Sequence, residues 1–269
     1  MKRFLLAMQF LTIVPVRITG RTTEREIAGS AVFFPSVGAL QGLLAVTTAL
    51  VFTRLLNVGV ACGMTVAILI ISNGGFHMDA LADTFDAFAV KSGGNRAKDR
   101  ERRLSVMKDS TTGAIGVTAV ALTVLLKYLL IDSLMRNPAG PARYGVLFLG
   151  PVFSKWTMVQ TMHSGMSARN DGLGKLFIDS IRDRDILLSL FVTVLLCVPV
   201  AGFLRDLQPA AVGIFFLLTF TVQHLFTFFW VKLCTARFGG LTGDTLGAGG
   251  ELCEILYFMV ASSWLQHSI

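Results

Sequence analysis

Apolar runs of about twenty residues recur along the whole chain, separated by short charged or glycine-rich breaks. They fall at 31–53, 58–76, 113–135, 143–162 and 186–204, with a sixth at 210–231. About twenty apolar residues is the length an α-helix needs to cross the ~30 Å hydrocarbon core of a bilayer. Long apolar runs cross it as helices, because their backbone N–H and C=O groups must be satisfied internally. The pattern predicts an all-α, polytopic membrane protein of six to seven transmembrane helices, in a single membrane-embedded domain spanning 1–269. The seventh run, 252–265, is short, carries Glu254 and crosses only if its helix begins near Gly250. Residues 1–16 join a basic start (Lys2, Arg3) to a short apolar run, as a signal peptide does, but have no small-residue cleavage site. Pro15 and Arg17 follow instead, which predicts an N-terminal interfacial or re-entrant helix.

Composition agrees with the pattern. Hydrophobic residues make up 53% and charged residues 15%, against about 25% charged in soluble domains. The net charge of +7 would suit nucleic acid in a soluble protein. In a membrane chain it orients spans and meets anionic headgroups, so the bilayer is the expected partner and nucleic acid is not. Eighteen of the 24 Lys and Arg residues lie on one side of the predicted spans: at 2–25, 91–108, 169–184 and 232–237. Four lie on the other (Arg54, Arg136, Arg143, Arg205), and Lys127 and Lys155 fall inside spans. The split places the basic side in the cytoplasm, and the expected location is the cell inner membrane. The cysteines (Cys62, Cys197, Cys234, Cys253) lie singly in apolar surroundings and read as packing residues. Oligomeric state, homo-oligomers included, is left open.

The chemistry concentrates at two places. The segment 73–88 carries Asn73, His77 and three aspartates. On a helix, Asp79, Asp83 and Asp86 sit at i, i+4 and i+7, within a wedge of roughly 60°. Three like charges on one face repel unless a cation neutralises them, and hard oxygen ligands suit Mg²⁺ or Mn²⁺. His77 is either a general base or a capping residue at the helix start. The second place is the glycine-rich 238–254 stretch, where Thr242 and Asp244 precede Glu251 and Glu254 at i and i+3. Acids entering the membrane on the same face as the first cluster point to function. Two weaker signals accompany them. Lys108, Asp109 and Ser110 lead through Gly113 into a span, as at a phosphate-binding helix start, and Arg169 lies between spans near Gly172 and Gly174. Lys155 is buried in a span, which is costly without a partner or a role.

These motifs resemble the cobalamin synthase family, the adenosylcobinamide-GDP ribazoletransferases. The resemblance rests on Gln9-Phe10-Leu11-Thr12 with Pro15-Val16, Phe34-Pro35 with Gly38, the His77 to Asp86 motif, and Met107-Lys108-Asp109-Ser110 with Gly113 and Gly116. Ala168-Arg169 with Gly172-Leu173-Gly174 and the stretch Gly239 to Glu254 complete it, in the family's order over nearly the whole chain. The chain departs at Ala80 and Ala87, where the family has glycines, and at Lys155, where it has arginine. The resemblance implies transfer of the adenosylcobinamide phosphate group from adenosylcobinamide-GDP to α-ribazole or its 5′-phosphate, with release of GMP. On this reading Asp79, Asp83 and Asp86 hold Mg²⁺, and His77, Asp86, Asp244 and Glu254 act in the chemistry. Asn73, Lys108, Asp109, Ser110, Lys155, Arg169, Thr242 and Glu251 contact substrate. Two alternatives are weaker. A CDP-alcohol phosphatidyltransferase-like lipid synthase spaces its acids differently and has an arginine that is missing after Ala82. A cation transporter places its acids near mid-membrane.

Overall fold

A computed structural model describes residues 1–138, 140–204 and 207–267. Arg205, one of the four charges assigned to the far side, lies outside them. Among the described residues the chain forms twelve α-helices and no strand, with one isolated parallel bridge between Ser167 and Leu241. In order they are α1 (Lys2–Leu11), α2 (Glu24–Ala28), α3 (Phe34–Leu55), α4 (Val58–Ser72), α5 (Phe76–Ala89) and α6 (Arg96–Val106). There follow α7 (Ala114–Arg136), α8 (Ala142–Ser164), α9 (Leu173–Ser180), α10 (Asp183–Phe203), α11 (Pro209–Phe238) and α12 (Gly243–His267).

Four segments are long and apolar enough to cross a membrane: 24–55, α7, α10 and α11, with a fifth if α4 and α5 count as one span broken by an 85° bend. That is fewer than the six to seven expected. The difference lies largely in α8 and α12, which at 23 and 25 residues are about 35 Å long or more but more polar. They form the centre of the bundle. From Val146 to Met162, α8 is buried at every position except Phe148, so other helices rather than lipid enclose it and it need not be uniformly apolar. The outer helices face the other way, exposing Phe191 and Leu195 on α10 and Leu217 and Phe229 on α11. This is an all-α polytopic membrane protein.

Close packing between helices follows from small residues, as expected where lipid supplies no hydrophobic drive to associate. A Cβ at Gly38 would stand 2.5 Å from the carbonyl oxygen of Pro151, and one at Gly42 would overlap that of Phe148. The α3 and α8 backbones therefore touch. The predicted boundaries shift in three places. The 58–76 run ends at Ser72, because Gly74 and Gly75 take positive φ (67° and 75°) and turn the chain. The 210–231 run continues to Phe238, so Lys232 is helical rather than in a loop. The last helix begins at Gly243, which makes the short 252–265 run part of a full-length helix. All four cysteines are buried and free, as packing residues are.

Candidate active site

The turn between α4 and α5 aims the first acidic cluster. Asn73 Oδ1 accepts the N–H of Gly75 (3.0 Å), and the left-handed glycines re-direct the chain so that α5 lies against α12 and α7. The second acidic cluster is set by a reciprocal cap. Thr242 Oγ1 accepts the Thr245 N–H (3.1 Å) while Thr245 Oγ1 accepts the Thr242 N–H (2.8 Å). This starts α12 and places Asp244 in its first turn, where the helix dipole favours an acid. α5 and α12 approach closely, since a Cβ at Gly247 would lie 2.8 Å from that of Ala80. The carboxylates that bear on Asp83 are accordingly Asp79, Asp244 and Asp86, and the cation opposing them is Arg169. Arg169 Nη2 lies 3.0 Å from Asp244 Oδ2. Two regions more than 150 residues apart thus share one site.

Asp86 differs from its neighbours on α5. Its Oδ2 accepts the Gly113 N–H (2.6 Å) and its Oδ1 the Gly116 N–H (2.8 Å), so it caps the start of α7, which has no side-chain cap of its own. A side chain at Gly116 would collide with that carboxylate. Among the described residues, no three His, Cys, Asp or Glu side chains converge closely enough to enclose a metal ion. In donor chemistry the set suits a hard cation: oxygen-only acids with a single arginine to oppose them.

Behind the acids lies a buried ionic network. Lys127 of α7 bonds Glu251 Oε2 and stands 3.5 Å from Glu254 Oε1. Glu251 Oε1 is 3.4 Å from His77 Nδ1, which is also 3.4 Å from Lys155 Nζ of α8. These groups are almost wholly enclosed, Glu251 at 2% and Lys155 at 1% exposure. Lys155 and Glu251, expected to contact substrate, and Glu254, expected to act in the chemistry, are instead buried between helices. Thr242 is likewise buried, within the α12 cap. His77 joins the network to the surface, because it also lines a cavity of about 380 Å³ with Asp79, Asp244, Phe10, Phe76 and Leu173. A larger cleft of about 640 Å³ among Arg3, Arg25, Arg182 and Arg184 includes none of the acids of α5 or α12.

The basic 91–110 segment does not bring Lys108, Asp109 or Ser110 into that cavity. Lys108 borders a separate shallow cavity beside Arg100, Asp109 closes a local turn by accepting the Thr111 N–H (3.0 Å), and Ser110 is exposed. The segment folds as α6, whose arginines tie loops together. Arg100 donates to the Ala168 carbonyl (3.1 Å), and Arg103 to those of Arg237 and Val90 (both 3.3 Å). Asp99 anchors the start of this strap; the Ser92 hydroxyl and then the Gly93 N–H hold its carboxyl below the usual range. Sequence reasoning passed over three contributors. Lys127 was visible only as a charge inside a span, while Phe10 and Phe76 were visible only as apolar residues beside the motifs.

Fold and site together define an integral-membrane helical bundle with a carboxylate-rich cavity at one end. The family model described as cobalamin-5-phosphate synthase matches residues 3–262, and the chain belongs to that family. It is similar to proteins named adenosylcobinamide-GDP ribazoletransferase in several bacteria. One from Geotalea daltonii is 34% identical over 96% of each chain. Another, from Thermodesulfovibrio yellowstonii, is 31% identical over 96% of this chain and 94% of its own. A third, from Pseudomonas syringae pv. syringae, is 33% identical over 94% of this chain and 95% of its own. No solved structure matches the chain. The family match leaves the lipid-synthase and transporter readings without support.

Proposed function

We propose that this protein performs the final assembly of the cobalamin nucleotide loop, in a cell membrane with its carboxylate cavity toward the cytoplasm. The donor is adenosylcobinamide-GDP and the acceptor is α-ribazole or its 5′-phosphate. The observation that carries the reading is the meeting of Asp79 with Asp244 at one cavity, both close enough to bear on Asp83, in a chain that matches the family from residue 3 to residue 262. A ribose hydroxyl oxygen bonds to the cobinamide-linked phosphorus, and the bond from that phosphorus to the bridging oxygen breaks. The bridging oxygen leaves with the electron pair as part of GMP, and the hydroxyl proton passes to a base.

This chain's residues divide the work as follows. His77 fits the base: its Nδ1 faces Glu251 and Lys155, and its Nε2 has no protein hydrogen-bond partner among the described residues. One or two of the carboxylates Asp79, Asp83 and Asp244, together with the donor's diphosphate, would hold Mg²⁺, which when bound neutralises charge on the diphosphate oxygens. Asp86, engaged by α7, keeps that helix in place against the cluster. Arg169 holds Asp244 toward the other acids.

The test follows GMP release from adenosylcobinamide-GDP by the purified protein with α-ribazole, with and without Mg²⁺. Turnover is expected only with the metal. Asp79→Asn, Asp83→Asn and Asp244→Asn should each retain less than about a hundredth of it. No GMP release by the wild-type protein with both substrates and Mg²⁺ would overturn the reading.

A further inference from the structure

The cavity beside His77 is lined by two kinds of residue: the carboxylates Asp79 and Asp244, and the apolar Phe10, Phe76 and Leu173. No lysine or arginine lines it. A phosphate set against these apolar side chains would therefore lose its hydration without gaining a protein cation, so they suit an uncharged group. The two rings are held differently. Phe10 is fixed, with its ring 5.8 Å from that of Phe34 and 4.8 Å from that of Phe177. Phe76 is the first residue of α5 and is 68% exposed, with no ring partner among the described residues. Leu173, at the first position of α9, is 54% exposed beside it. A large aromatic and a leucine left in the open at the mouth of a site have apolar surface still to cover. At about 380 Å³ the cavity has the volume of a small-molecule site. It has room for a bicyclic heterocycle and a sugar, but not for a corrin ring with its side chains.

We propose that this cavity is the acceptor subsite. The aromatic base of the nucleoside lies between Phe10 and Phe76, with its ribose hydroxyls toward Asp79, Asp244 and His77. The N-terminal helix α1 is then part of the substrate site, because it supplies Phe10, and membrane attachment is not its only task. The arrangement orders the two substrates in space. The nucleoside fills the cavity, and the bulky donor, too large to enter, presents its diphosphate to Asp79 and Asp244 from outside. Stacking on an aromatic side chain tolerates different bases, since every base has a π face, so the subsite selects for a flat heterocycle more than for one particular ring.

The inference rests on the functional reading above, and the experiment separates the two. Wild-type protein is first required to release GMP; failure at that step sinks the functional reading and leaves the subsite without a reaction to serve. With wild-type turnover established, Phe76→Ala and Phe76→Trp are compared for the KM of α-ribazole, the KM of adenosylcobinamide-GDP, and equilibrium binding of α-ribazole alone. Phe76 is exposed, so neither change threatens folding. Phe76→Ala should raise the acceptor KM and weaken α-ribazole binding about tenfold, leaving the donor KM unchanged, and Phe76→Trp should restore both. A rise in the donor KM instead would assign the cavity to the nucleotide half of the donor and overturn the proposal. Unchanged KM values would overturn it too.

Discussion

Asp79, Asp83 and Asp86 share a helix face in the sequence, but their surroundings make them unequal. Asp79 is exposed, Asp83 is half-buried among other carboxylates, and Asp86 is taken up by two backbone N–H groups at the start of α7. Helical spacing reports direction around an axis and nothing of what stands opposite. The structure therefore separates Asp86 from the other two and makes it a cap. Losing a capping side chain costs about 0.5–2 kcal/mol, so Asp86→Ala should lower the thermal midpoint of the purified protein by a few degrees. Asp86→Asn, which keeps one acceptor oxygen, should lose less. Mg²⁺-dependent binding of adenosylcobinamide-GDP should survive in Asp86→Asn. An Asp86→Asn protein of wild-type stability that no longer binds the donor with Mg²⁺ would return Asp86 to the metal.

Among the elements, α12 carries the most consequence. It was legible as a short, doubtful span because its first third reads as a glycine-rich loop; the Thr242–Thr245 cap converts that loop into helix. The glycines let it lie against α5, and its two glutamates turn inward to Lys127 of α7. A buried ion pair adds little to stability by itself, but breaking one by removing a single partner costs about 3–5 kcal/mol because the other charge is left uncompensated. Lys127→Met should therefore be severely destabilised, read as loss of folded protein after detergent extraction or as a large fall in thermal midpoint. Lys127→Met combined with Glu251→Gln should recover much of that loss. If the two losses simply add, the pair is not coupled. If Lys127→Met is as stable as wild type, the network does not hold α7 to α12.

At the scale of the whole molecule, topology can be checked apart from activity. All four native cysteines are buried, so background labelling should be low. Ala97 on α6 and Arg54 at the end of α3 are both exposed, on opposite sides of the charge split. In intact cells an impermeant thiol reagent should label Arg54→Cys and leave Ala97→Cys unlabelled until the membrane is opened. The reverse pattern would put the carboxylate cavity outside and refute the proposed orientation.

The apolar runs and the lysine–arginine split determined the membrane class, most helix positions and which loops share a side, because transfer into a bilayer is decided segment by segment. The motifs pointed to both acidic regions by the same local logic: acids are scarce in such a chain and stand out. Which acids meet, however, depends on contacts between positions far apart in the chain, and only the packing of α5 on α12 brought Asp244 to Asp83. Packing alone also decided that Lys155, Glu251 and Glu254 are enclosed rather than open to substrate. Burial depends on what covers a side chain, and in a bundle that cover comes from other helices. The apolar lining of the cavity was out of reach for the same reason. Phe10, Phe76 and Leu173 sit on three separate helices, and nothing local distinguishes them from the many residues that face lipid.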